Sequence, residues 1–209
     1  MTTLQHTHAR RRSLGLALLA ASSLALAGCG APAAAPPSSS APAEAHGAHS
    51  MPSPSASFNS ADAMFAQMMV PHHEQAVEMS EIVLAKPGLD PRVAALAQQI
   101  KAAQAPEIAT LKNWLAAWGQ PVSMADHDSG GVMSGMMRDE DLGQLRAADS
   151  AVAAKLFLTQ MIAHHEGAVQ MARTETEAGQ HGDAVAMASA IVTSQSKEID
   201  EMKAILAQP

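Results

Sequence analysis

Apolar residues recur every three or four positions in four stretches between residues 59 and 209, and no stretch alternates with a period of two. This spacing is typical of amphipathic α-helices and argues against β-strands. The predicted helices cover about 60–85, 91–118, 139–178 and 183–207, with an early break expected in the third. The sequence therefore predicts an all-α fold.

Two prolines lie inside these predicted helices. Pro71 removes a backbone donor from the first helix, and we expect a kink there rather than a break. Pro106 should bend or split the second helix. Asn59 or Ser60 can cap the start of the first helix.

The folded part contains an internal repeat. Residues 65–79 and 157–171 share Phe, Met, a His-His-Glu triplet, Ala-Val and Met at an offset of 92. A second set repeats at an offset of 91, namely Gln104, Glu107, Ile108, Leu111, Lys112 and Leu115 with Gln195, Glu198, Ile199, Met202, Lys203 and Leu206. Each half then forms a helical hairpin (59–119 and 138–209, joined by a loop at 120–137), and the two hairpins predict an antiparallel four-helix bundle.

The repeat places histidine and methionine together on one helix face. At about 100° per residue, one inward stripe carries one His and two Met in each copy. His73 and His165 point about 80° away, toward the edge of the seam. The predicted metal ligands are Met69, His72, His73 and Met79 in the first copy and Met161, His164, His165 and Met171 in the second.

A packing role explains the same stripe without a metal, since buried Met and His are usually core residues. Keeping both residue types in register in two copies favours a metal site. Glu74 and Glu166 are either solvated or orient an imidazole from behind.

Thioether and imidazole together suit copper, with Met favouring Cu(I) and His serving Cu(I) or Cu(II). Further soft donors lie in the interhairpin loop and in the N-terminal tail. These auxiliary candidates are Met124, His127, Met133, Met136 and Met137 in the loop, and His46, His49 and Met51 in the tail.

The N-terminus has the pattern of an export signal. Three arginines, Arg10 to Arg12, precede an apolar run at 14–27, and the only cysteine, Cys29, follows a small-residue cleavage box. We predict a lipoprotein signal peptide at 1–28, lipidation of Cys29, and a disordered Ala/Pro/Ser-rich tether at 29–58. The chain would then be anchored in the bacterial cell envelope by lipid alone.

Charge narrows the set of partners. Cleavage before Cys29 removes three of the 13 basic residues and none of the 20 acidic ones, which leaves a net charge of −10. Such a balance argues against nucleic-acid binding, which needs a basic surface. The sequence identifies no protein partner and no catalytic constellation, so we expect a binding protein rather than an enzyme.

The doubled His-His-x-x-Ala-Val-x-Met phrase, with its trailing Gln-x-x-Glu-Ile, resembles the bacterial domain-of-unknown-function 305 family over about residues 60–207. The resemblance implies a ferritin-like fold, an extracytoplasmic location and, from some relatives, copper binding by the eight His and Met residues. A ferritin-like fold raises a di-iron oxidase as an alternative, but such sites use Glu-x-x-His motifs, which this sequence lacks. A structural or partner-binding lipoprotein without metal is the other alternative.

Overall fold

A computed structural model describes residues 57–122 and 133–208. The signal peptide, Cys29, most of the tether and the candidates His46, His49, Met51, Met124 and His127 lie outside these ranges. Five helices follow in order: α1 Ser60–Leu84, α2 Pro91–Ala117, α3 Asp139–Ala147, α4 Ser150–Ala178 and α5 Gly182–Leu206. Every regular element in the described ranges is an α-helix, which confirms the all-α prediction.

The first hairpin begins at a capping box. The Asn59 side chain accepts hydrogen bonds from the backbone N–H groups of Ala61 and Asp62, and the Asp62 carboxylate accepts from the Asn59 N–H at 2.6 Å. Asn59 therefore satisfies two donors that a helix start leaves unpaired. The turn into α2 contains Gly88 at a φ of 71°, a left-handed conformation that glycine adopts at little cost.

The third predicted helix divides into α3 and α4. Ala148 adopts an extended conformation with ψ at 149°, and the Asp149 side chain then accepts a hydrogen bond from the Val152 N–H. This new N-cap starts α4. The expected early break is thus located at residues 148–149.

Both internal prolines lie within continuous helices. Pro71 lies inside α1 and Pro106 inside α2, and neither ends its helix. The expectation that Pro71 would not break α1 is confirmed, while the split considered at Pro106 does not occur. Helix packing along the whole length of each hairpin offsets the missing backbone donor.

The helices associate as two hairpins that meet through their first long helices. α1 packs along α2, α4 packs along α5, and α1 and α4 form the main contact between the hairpins. Two apolar clusters fill the interior. One includes Met79, Val83, Phe157 and Met161, and the other includes Phe65, Met69, Ala168 and Ala172.

The order of these residues shows that α1 and α4 run antiparallel. The early part of α1 shares a cluster with the late part of α4, and the late part of α1 with the early part of α4. Each helix contributes to one cluster before its histidines and to the other after them. Among the described helices, none has the length and apolar character needed to cross a membrane.

Candidate metal centre

Four buried histidines occupy the middle of the α1–α4 contact, between the two apolar clusters. His72, His73, His164 and His165 are all within 1% of complete burial. The burial of His72 and His164 follows from the inward stripe. His73 and His165 lie deeper than their predicted place at the edge of the seam, because α2 and α5 cover that flank.

A carboxylate from the second helix of each hairpin holds His73 and His165. The Nε2 atom of His73 lies 2.8 Å from Glu107 Oε2 in the first hairpin. The Nε2 atom of His165 lies 2.8 Å from Glu198 Oε2 in the second. When either ring is neutral, Nε2–H is the donor to the carboxylate and Nδ1 carries the lone pair, a tautomer inferred from the partners. Neither Nδ1 has a hydrogen-bond partner among the described residues.

Glu198 is held more completely than Glu107. Its second oxygen, Oε1, accepts a hydrogen bond from Gln99 Nε2 at 3.1 Å. Burial raises the pKa of the Glu198 carboxyl, but the hydrogen bond and attraction from His165, with the Gln99 bond, outweigh it and lower the pKa overall. The carboxylate is therefore charged at neutral pH, and it fixes the orientation of the His165 ring.

The glutamates next to the histidines in sequence lie on the surface instead. Glu74 pairs with Lys112 at 2.6 Å, and Glu166 lies 3.6 Å from Lys203. Their side chains are about half exposed, which agrees with the alternative that these two residues are solvated. The contacts that orient imidazoles come from Glu107 and Glu198, which sequence reasoning missed. The available signal was the repeat of Gln-x-x-Glu at an offset of 91.

His72 and His164 face each other across the contact between α1 and α4. Their ring centroids are 3.8 Å apart with the planes tilted by 41°. Burial, followed by the nearby His73, lowers the pKa of His72 to about 3. Burial, followed by His72, also places the pKa of His164 well below its ordinary value. Both imidazoles are therefore neutral at pH 7 and keep lone pairs on their rings.

This facing pair has several ring nitrogens available. The Nε2 atom of His72 lies 3.3 Å from the carbonyl oxygen of Ser134. Within the described part of the chain, His72 Nδ1 and both ring nitrogens of His164 have no hydrogen-bond partner. Buried polar atoms normally find partners, so three such atoms in one place make the facing pair a candidate ligand site.

Residues 133–137 form a segment, here called the strap, that lies over the facing pair. The Gln75 side chain binds its Met137 end twice, through Met137 O at 2.8 Å and Met137 N at 2.7 Å. At Gly167 on α4, an added Cβ would lie 2.0 Å from Ser134 O, so only glycine lets the strap approach this closely. Gly167 is the repeat counterpart of Gln75.

The predicted methionine ligands divide between two environments. Met69, Met79 and Met161 are fully buried, and Met69 and Met161 each lie one helical turn before an inward histidine. Met171 is only half-buried and lines a surface groove. In the strap, Met133, Met136 and Met137 are also half-buried. Metal coordination by any of these residues stays a prediction.

The donor set fits a soft metal better than a hard one. In residues 57–122 and 133–208, no three His, Cys, Asp or Glu side chains converge in the way that one ion bound by these types requires. Met69 and Met161 lie one helical turn before the facing histidines, and the combination of imidazole with thioether matches copper. The carboxylates of Glu107 and Glu198 are already bonded to His73 and His165.

These features define an all-helical protein with a duplicated His/Met motif whose histidines are buried between its two hairpins. The family model described as Domain of unknown function (DUF305) matches residues 62–206. The chain belongs to this family. Among curated proteins, none matches the chain.

Solved structures of the family share this fold. A DUF305 protein from Streptomyces coelicolor is 36% identical, with 70% of this chain and 92% of that one covered and a TM-score of 0.66. CopM in its Cu(I)-bound form is 32% identical, with 68% and 92% covered and a TM-score of 0.58. CopM in its Cu(II)-bound form is 35% identical, with 68% of this chain and 93% of that one covered and a TM-score of 0.57. CopM has also been solved with silver and in the apo form.

Proposed function

We propose that this protein is a copper-binding protein of the bacterial cell envelope, and that it holds copper at the facing pair of His72 and His164. The observation that carries the proposal is the set of three buried ring nitrogens without described partners on these two imidazoles. Met69 and Met161 are the nearest thioethers along the two helices. His73 and His165 follow the facing histidines in sequence, and carboxylates fix the orientation of their rings.

The electrostatics of the site favour Cu(I) over Cu(II). The cost of moving an ion into a buried site rises steeply with its charge. Here the candidate donors, imidazole nitrogen and thioether sulfur, are all neutral. A monovalent soft ion therefore binds with less desolvation cost, and thioether sulfur selects Cu(I) among the first-row metals. Cu(II) would rely on the imidazoles.

The relatives support this proposal. CopM structures with Cu(I), Cu(II) and silver belong to proteins about one-third identical to this chain. Silver is a soft monovalent ion, as Cu(I) is. We further propose that the four long helices form the ferritin-like four-helix bundle implied by the family resemblance.

The proposed location is outside the cytoplasm. The signal pattern at 1–28 and Cys29 support export and lipid anchoring, and the Streptomyces coelicolor relative is provisionally described as secreted. Copper would then be chelated or carried at the membrane surface. We propose a binding role without catalysis, because the contacts of the facing histidines with described residues include no nucleophile or charged acid that would make them a general acid–base pair.

Equilibrium dialysis of the purified chain against Cu(I), Fe(II) and Zn(II) tests the function. We expect Cu(I) to be retained, and a double variant, His72→Leu with His164→Leu, to bind it at least tenfold more weakly. Leucine fills a similar volume, and circular dichroism checks that the variant folds. Glu78→Ala on the exposed face of α1 is the control.

Three other results would contradict the proposal. Unchanged Cu(I) affinity in the double variant would exclude the facing pair as the site. Retention of no ion would support a structural lipoprotein. Consumption of oxygen with Fe(II) would support the di-iron oxidase. X-ray absorption spectroscopy of the copper-loaded chain then counts the sulfur and nitrogen neighbours of the ion.

A further inference from the structure

A second group of methionines lies at the surface, at the end of the α1–α4 contact that carries the N-terminus of α1. Met64, Met68 and Met171 line one groove of about 300 Å³, together with Phe65 and Glu175. Met64 is 50% exposed, and the other two methionines are half-buried. A single exposed apolar residue is ordinary, but three methionines that line the same groove form a cluster, and a cluster invites a functional explanation.

The three side chains come from two helices in a favourable arrangement. Met64 and Met68 are four residues apart on α1 and therefore lie on the same face, one turn from each other. Met171 enters the groove from α4. Methionine side chains from two helices thus line one groove, and thioether sulfur is a ligand that selects Cu(I) and similar soft ions.

The repeat shows that the groove is not a by-product of the duplicated core. At an offset of 92, the counterparts of Met64 and Met68 are Leu156 and Gln160. The counterpart of Met171 is also a methionine, Met79, but its side chain is fully buried. The equivalent positions in the other copy of the repeat therefore carry no exposed methionine. All three positions carry methionine only in the copy where the groove opens to solvent.

We propose that Met64, Met68 and Met171 form a second, solvent-accessible site for a soft monovalent ion, Cu(I) or Ag(I), separate from the buried histidines. Its position at the surface allows an ion to enter directly from solution. Met171, grouped with His164 and His165 in the sequence analysis, belongs to this site instead. The inference rests on the thioethers alone and stands whether or not the histidines bind copper.

Nuclear magnetic resonance of the methionine ε-methyl groups tests this site, with Ag(I) as a probe that does not change oxidation state. We expect Ag(I) to shift the methyl signals of Met64, Met68 and Met171 together, while Met187, a half-buried methionine of α5 outside the groove, stays in place. A double variant, Met64→Leu with Met68→Leu, should bind one ion fewer per chain and abolish the shift of Met171. Met187→Leu is the control variant.

The result separates this inference from the proposed function. Loss of one ion in the Met64/Met68 variant and of another in the His72/His164 variant would support both. If the groove methyls do not shift, or if the Met64/Met68 variant binds as many ions as the unaltered chain, the groove site is overturned. If the groove methyls shift but the His72/His164 variant binds normally, the groove site stands and the buried site fails.

Discussion

Glu107 and Glu198 occupy equivalent positions in the two hairpins and make the same contact, but they differ in burial. Each lies 2.8 Å from a histidine Nε2 atom. The Glu107 side chain is 25% exposed, while that of Glu198 is only 8% exposed. Replacing each by alanine therefore removes the same hydrogen bond in two different surroundings. The chain offers its own matched control for the effect of burial.

The expected magnitudes follow from that difference. Losing a hydrogen bond to a charged group costs about 1.5–3 kcal/mol, and a donor left buried without a partner raises the loss. Glu198→Ala leaves the buried His165 donor without an acceptor, so we expect about 3 kcal/mol less unfolding free energy. At Glu107, water can reach the exposed side and bind the His73 N–H. Glu107→Ala should cost about 1 kcal/mol.

Urea unfolding followed by far-ultraviolet circular dichroism, at pH 7 with a chelator present, measures both losses. Glu198→Gln adds a third point, because its amide oxygen still accepts from His165 and should recover most of the stability. Equal losses in the two alanine variants would refute the argument that burial strengthens the Glu198 contact. So would a Glu198→Gln variant as unstable as Glu198→Ala.

Three further outcomes are expected. Gly167→Ala should destabilise the chain by about 1–3 kcal/mol in urea unfolding, because the added Cβ would clash with the strap. Gly143→Ala is the control: an added Cβ there has no described atom within 4 Å, so this variant should be neutral or stabilising. Similar effects at both glycines would contradict the close approach of the strap to α4. Burial, and then the neighbouring Asp62, raise the pKa of Glu175 from 4.5 to about 8, so the folded chain keeps a proton that the unfolded chain releases. The stability that this proton contributes is complete below pH 4.5 and is lost as pH rises toward 8. Urea unfolding at several pH values should show that the difference in unfolding free energy between the unaltered chain and Glu175→Gln changes across this window. A difference that stays constant with pH would contradict the raised pKa. Cys29→Ala should move the chain from the membrane to the soluble fraction of cells, and an unchanged distribution would argue against lipid anchoring.

The helices and their starts were predictable because they depend on local signals. The 3.6-residue periodicity gave the helical segments, and Asn59 was one of two predicted caps. The repeat gave the pairing of elements into hairpins. The break at Ala148 and Asp149 was only approximately placed, since the helical pattern of apolar residues continues across it.

The site was predictable only as far as one helix determines it. The stripe identified His72 and His164 as inward residues, because their direction depends on α1 or α4 alone. The acids that hold His73 and His165 come from α2 and α5, and their choice depends on how the helices of each hairpin align. Sequence proximity made Glu74 and Glu166 candidates for this role beside a solvated one, and in the structure they pair with surface lysines. The position of the strap likewise depends on tertiary contacts.

The strap explains why this architecture benefits from two fused copies. Gln75 holds the strap by its backbone, while its counterpart Gly167 makes room for it. A homodimer of one hairpin would carry the same residue at both positions and could not hold the segment on one side and admit it on the other. Because the two copies are joined in one polypeptide and have diverged, one strap can cover the histidines asymmetrically although the two copies of the motif are nearly equivalent. His72, which contacts Ser134, and His164, which does not share that contact, are consequently no longer interchangeable.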